Sequence, residues 1–112
     1  MKEITWSEFE KVELRVGTIT KVDDFPEARK PAYKLTINFG KNLGIKKSSA
    51  QITGHYSKEE LINKQILAVI NFPPKQIGPF MSECLVTGLQ DSHGQVVLLS
   101  PDLKVENGSK LF

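Results

Sequence analysis

The side chains able to carry chemistry in this 112-residue chain are few and dispersed. His55 and His93 lie far apart, and neither stands in the His, Cys and carboxylate spacing of a metal site. Cys84 sits inside the apolar run Phe80 to Val86, where a buried structural thiol is expected and no histidine is placed to activate it. Glu59 and Glu60 follow Ser57 at a helix start, so capping and the helix dipole account for both acids. The glycines form no phosphate-cradling fingerprint. No acid, base and nucleophile converge, and the chain is read as a non-enzyme without cofactor or metal.

The chemistry that does recur is that of anion contact. Residues 29–75 carry nine basic groups against only Glu59 and Glu60, while the two flanking segments are net acidic, so the overall charge of +2 hides a basic middle. Such a middle is either a surface for a polyanion or nine separate solvated side chains, and charge alone does not choose. Arg15 and Lys34 fall on the outward parity of the first two predicted strands. In the third strand either Lys46 and Ser48, or Lys47, Ser49 and Gln51, point outward, because Ile45 sets one parity and Ala50 with Ile52 the other. Lysine, arginine and serine together hold a nucleic-acid backbone with little base reading. Tyr33 and Phe39 read as core, which leaves no stacking platform there and favours structured RNA over an extended single strand.

The elements that would position these groups follow from periodicity. Ser7-x-x-Glu10 predicts a short capped turn from about Ser7 to Lys11. Val12, Leu14 and Val16 alternate with Glu13 and Arg15 as a half-buried strand, and the apolar phase slips at Gly17-Thr18, which predicts a bulge. Tyr33, Leu35, Ile37 and Phe39 alternate with Lys34, Thr36 and Asn38, and the Gly40 to Gly44 turn leads into a third strand over Ile45 to Thr53. Ser57-x-x-Glu60 opens a second short helix ending near Ile62. Ile66 to Ile70 and Phe80 to Val86 are two further strands, joined by a stiff exposed loop braced by Pro73 and Pro74. One more strand follows at Val96 to Leu99.

Three strands, a short helix and two strands is the layout of an all-β OB-fold, a five-stranded Greek-key barrel, here with N- and C-terminal extensions. A single domain over 1–112 is expected, with the barrel at about 12–88 and extensions at 1–11 and 89–112. No apolar run approaches the roughly 18 residues of a membrane span. The acidic start and the lone cysteine lead to an expected cytoplasmic location.

Several strings together resemble a known family: Arg15-Val16-Gly17-Thr18-Ile19, Phe25-Pro26-Glu27-Ala28-Arg29, Ser48-Ser49-Ala50-Gln51-Ile52, Asn71-Phe72-Pro73-Pro74 and Ser82-Glu83. They are similar to the tRNA-binding OB domain appended to aminoacyl-tRNA synthetases, and within it to the CsaA-type secretion chaperones. The resemblance implies a homodimer formed through the extensions, with Trp6, Phe9, Leu111 and Phe112 at the interface. It further implies binding of unfolded preproteins and the export machinery, with tRNA as the alternative partner through Arg15, Lys34, Lys46, Ser48 and Ser82. Cys84-Leu85 departs from the Gly-Met that usually follows the Ser-Glu pair in this domain. For a peptide, the apolar residues Ile77, Pro79 and Phe80 in or beside the stiff loop are the expected contacts, core or dimer packing being the alternative for the same three.

Overall fold

A computed structural model describes residues 1–112. Helix α1 (Trp6–Glu10) precedes strands β1 (Leu14–Asp24), β2 (Tyr33–Asn38) and β3 (Ile45–Ala50). Helix α2 (Lys58–Leu61) follows, then β4 (Gln65–Val69), β5 (Lys75–Ile77), β6 (Phe80–Ser82), β7 (Leu85–Val86), β8 (Gly88–Gln90) and β9 (Val96–Leu98). The main sheet has the order β3-β2-β1-β4-β7, every neighbouring pair antiparallel. It curls until β3 meets the segment after β6, where Glu83 N–H donates to Lys47 O at 2.7 Å. This is the expected OB-fold, a nearly closed barrel with one helical turn between its third and fourth strands.

The barrel fills from the inner parity of each strand. Ile19, Leu35, Ile37, Phe39, Ile66 and Ala68 are fully or almost fully buried, and Leu61 of α2 joins the same core. Gly17 belongs to this interior. A Cβ on it would stand 2.6 Å from Ile37 and 2.7 Å from the Phe39 ring, so only glycine lets β1 pass the aromatic. Leu98 is also core, so residues beyond Gly88 contribute to the barrel itself.

Five local expectations are corrected. The capping box of α1 is Thr5 with Glu8, two residues before the predicted pair: Glu8 N–H donates to Thr5 Oγ1 at 3.1 Å and Thr5 N–H to Glu8 Oε1 at 2.9 Å. Both Thr5-x-x-Glu8 and Ser7-x-x-Glu10 satisfy the spacing, and the earlier one places Trp6 and Phe9 three apart on one face. The bulge in β1 lies between Ile19 and Lys21, not at Gly17-Thr18. The stiff loop after β4 holds a short strand, β5, that pairs with β6, Lys75 opposite Ser82 and Ile77 opposite Phe80, and the single strand expected over Phe80 to Val86 breaks at Glu83-Cys84 into β6 and β7. Gly88–Gln90 forms a second hairpin with Val96–Leu98, where only one further strand was expected.

The C-terminal arm decides how β1 is used. β2 pairs with β1 only from Thr18 onward, which leaves the edge of Leu14 to Gly17 open. Residues 108–111 take that edge: Val16 N–H donates to Ser109 O at 2.9 Å, Gly108 N–H to Val16 O at 2.7 Å, and Leu111 N–H to Leu14 O at 2.9 Å. An edge covered by the chain's own tail is closed to other strands.

Candidate functional site

The bulge at Thr20 sets the polar face. Beyond it Val22 pairs with core Leu35, while Lys21 pairs with Thr36 and Asp23 with Lys34 on the outer side. In β3, Ser48 pairs with Leu35 and Lys46 with Ile37 on the inner parity, whereas Lys47 pairs with Thr36 and Ser49 with Lys34 on the outer. Two cross-strand rows therefore lie side by side, Lys21-Thr36-Lys47 and Asp23-Lys34-Ser49. Lys21 meets Asp23 only at 3.6 Å in an exposed pair, which leaves its ammonium exchangeable. Lys34 Nζ stands 5.5 Å from the centre of the Phe25 ring, and Phe25 meets Phe80 edge-on at 5.4 Å.

The sequence-predicted anion contacts are only partly brought together. Lys34 is on this face. Lys46 turns to the inner parity and is half-buried, so Lys47 takes the outward place that the open choice of parity had left undecided. Ser48, expected outward beside Lys46, is instead fully buried and its hydroxyl donates to Cys84 O at 2.8 Å, because it shares the inner parity of Ala50. Arg15, also expected outward, pairs with core Ala68 and shares the inner parity of Gly17. Its guanidinium is tied by Glu13 and by the carbonyl of Gly108. Leu14 and Val16 are buried on the opposite face of β1, which is why apolar alternation pointed to the wrong side. Ser82 Oγ accepts from Ser49 N–H at 3.1 Å and so helps close the barrel seam.

Beside that seam lies a cleft of about 550 Å³ between the end of β3, the β5–β6 hairpin and β7. Its apolar lining includes Phe72, Ile77, Leu85 and Val86, and Lys75 is its only charged member. Phe72 and Leu85, 55% and 51% exposed, line the same cleft, so their apolar surface is clustered there and open to a partner. Of the predicted peptide contacts, Ile77 lines the cleft. Pro79 is exposed at the hairpin tip, and Phe80 packs away from the cleft on Phe25. The signal for Phe72 was present in Asn71-Phe72-Pro73-Pro74, since a large aromatic between an asparagine and two prolines cannot enter a strand interior.

A second apolar surface joins the two termini. Trp6 and Phe9 meet at 5.2 Å between ring centres, and with Ile4 and Phe112 they line a shallow depression. Trp6 is 64% exposed and Phe112 99%. Leu111 is exposed too but sits outside that depression, with its backbone on β1. Asn71 ties this region to the loop before the cleft, its amide donating to Lys11 O at 2.7 Å and accepting from Glu13 N–H at 3.0 Å.

Three other titratable groups, Glu13, Asp91 and Cys84, are held by their neighbours. The Arg15 guanidinium and the Lys110 ammonium hold the Glu13 carboxyl below its ordinary value. His55, with the backbone N–H groups of Gln95 and His93, does the same for Asp91. Burial pushes the Cys84 thiol up to about 11. No three His, Cys, Asp or Glu side chains gather closely enough to hold a metal ion, and no helix is long and apolar enough to cross a membrane.

Comparison with known proteins places this geometry. The family model described as "Putative tRNA binding domain" matches residues 14–110. The crystal structure of a CsaA chaperone protein from Picrophilus torridus superposes with a TM-score of 0.92 at 56% identity, covering 98% of this chain and all of that one. The chain belongs to the tRNA-binding-domain family, in its CsaA group. The CsaA chaperone of Bacillus anthracis str. Ames superposes equally well, with a TM-score of 0.92 at 48% identity over 99% of this chain and 100% of that one. A methionine–tRNA ligase of Methanocaldococcus jannaschii is 31% identical over 99% of this chain. The chain spans only 17% of that ligase's length. The family's barrel thus occurs both as a short chain and as a small part of a much longer enzyme.

Proposed function

We propose that the protein is a non-catalytic, homodimeric chaperone that holds extended apolar segments of unfolded preproteins for export from the cytoplasm. The observation that carries this reading is the open apolar cleft with Phe72 and Leu85 exposed at its lip. A cleft next to an incompletely zipped barrel seam suits an extended chain, whose side chains enter the apolar floor while Ser49, Gln51 and Ser82 offer polar partners to its backbone. The patch of Ile4, Trp6, Phe9 and Phe112 supports pairing with a second copy about a two-fold axis, which doubles the number of clefts. Similarity to CsaA chaperones favours the same reading.

A second reading rests on a different observation. The row Lys21-Thr36-Lys47, with Lys34 beside it, supports contact with the phosphates of a structured RNA such as tRNA, as the family's description suggests. The two readings separate by salt. Binding of a reduced, unfolded preprotein followed by fluorescence is expected to persist at high ionic strength and to be lost in Leu85→Asp. Binding of bulk tRNA is expected to fall steeply with salt, and Lys21→Glu with Lys47→Glu is expected to reduce the slope by about two. Unfolded protein that fails to bind at any ionic strength removes the first reading, and tRNA retained by the double variant removes the second.

A further inference from the structure

Asn107-Gly108 is the chain's one Asn-Gly pair, and it sits where the C-terminal arm joins β1. In such a pair the glycine nitrogen can attack the asparagine side-chain amide carbon, because no Cβ shields the approach. The new C–N bond closes a succinimide ring as the C–N bond to the amide nitrogen breaks, and ammonia leaves with the proton. Water then opens the ring at one of its two carbonyls, giving aspartate or isoaspartate. Nothing but water is consumed.

The folded chain engages the atoms this reaction needs. Gly108 N–H donates to Val16 O at 2.7 Å, which holds the nucleophile in the arm's pairing with β1. Asn107 Oδ1 accepts from Thr18 Oγ1 at 2.8 Å and from Gln65 Nε2 at 3.1 Å, which fixes the side-chain amide. Gly108 O accepts from Arg15 Nη1 at 2.8 Å. The fold also explains why the labile pair is there. Gly108 has φ +93°, and a Cβ on it would stand 2.9 Å from Phe39 O, so this position demands glycine. Position 107 needs a short side chain with an acceptor that reaches both β1 and β4.

We infer that Asn107 is a deamidation site gated by docking of the C-terminal arm: inert while residues 108–111 lie on β1, reactive once they peel away. The aspartate product keeps an acceptor for Thr18 and Gln65. Isoaspartate adds a carbon to the backbone, which throws Ser109 and Leu111 out of register with Val16 and Leu14 and carries Phe112 away from Trp6 and Phe9. The conversion is one-way, so it turns a transient release of the arm into a lasting one.

The test follows conversion and arm opening together in the full chain. Protein is held at mildly alkaline pH in buffer, in graded sub-denaturing guanidinium and in fully denaturing guanidinium. Trypsin cuts after Lys104 and Lys110, so Asn107 is read in the short peptide 105–110 by its amide-to-acid mass gain. Hydrogen exchange at the amides of Gly108 and Leu111 measures opening. Conversion in buffer is expected to be at least about 30-fold slower than in the denatured chain, and to rise in proportion to opening between the two. Equal rates folded and unfolded, or a rate that stays flat while these amides open, overturns the proposal.

Discussion

Glu13 grips the Arg15 guanidinium through Nε at 3.0 Å and Nη2 at 2.7 Å, while Nη1 of the same group reaches Gly108 O at 2.8 Å. The basic residue that sequence parity offered to a ligand is therefore a clasp between the start of β1 and the C-terminal arm. Arg15→Ala is expected to cost about 1–2 kcal/mol through the lost charged hydrogen bond to the arm. Denaturant melts read that loss, and the salt slope of tRNA binding should be that of the parent. A variant of undiminished stability that no longer binds tRNA would return Arg15 to the ligand face.

Glu13 makes the same clasp sensitive to acid. Arg15 and Lys110 lower its folded pKa, so its contribution is fully present above the ordinary carboxylate value and is lost as pH falls through the lowered one. Glu13→Gln is expected to be less stable than the parent near neutrality and to lose less on acidification. Thermal melts across the acid range check this, and parallel curves for the two proteins would contradict it.

Ser48 is a bolt in the barrel seam. Its hydroxyl donates to Cys84 O at 2.8 Å from a fully buried position, so Ser48→Ala leaves a carbonyl unpaired. The expected cost is about 1–2 kcal/mol, or about 5–10 °C in melting temperature. Affinity for tRNA should not change, and a selective loss of RNA binding would show that the seam opens to admit it.

Cys84 should be chemically quiet. With burial raising its pKa to about 11, the folded chain holds roughly 100-fold less thiolate than an ordinary cysteine at neutral pH. Labelling by a disulfide reagent is expected only as the protein unfolds. Because the folded state prefers the neutral thiol, stability from this group is present below the ordinary thiol pKa and is lost as pH rises through about 11. Rapid stoichiometric labelling of the folded chain would sink this account.

The termini should decide assembly. Trp6→Asp places a carboxylate among Phe9, Ile4 and Phe112, and is expected to convert a dimer to a monomer of unchanged melting cooperativity. Sedimentation velocity distinguishes the two. A parent protein that sediments as a monomer at every concentration removes the proposed pairing.

Local patterning already carried the architecture. Alternation in Tyr33 to Phe39 placed β2 and its two faces, and Ser57-x-x-Glu60 placed α2, whose capping box forms as read. These signals are legible because strand period and helix capping depend on residues a few positions apart. β5 was read as loop because Pro73, Pro74 and Gly78 outweigh a three-residue strand that propensity alone cannot support.

By itself, then, the amino-acid order determined the barrel, its helix and its family strings, since each is written in short-range pattern. Tertiary structure alone decided which side chains face outward. The extra residue at Thr20 re-aims Lys21, pairing with β2 sends Lys47 outward and Ser48 inward, and the arm arriving from Gly108 claims Arg15. A one-residue shift exchanges the two faces of a strand, and a partner some 93 positions away leaves no mark on local periodicity.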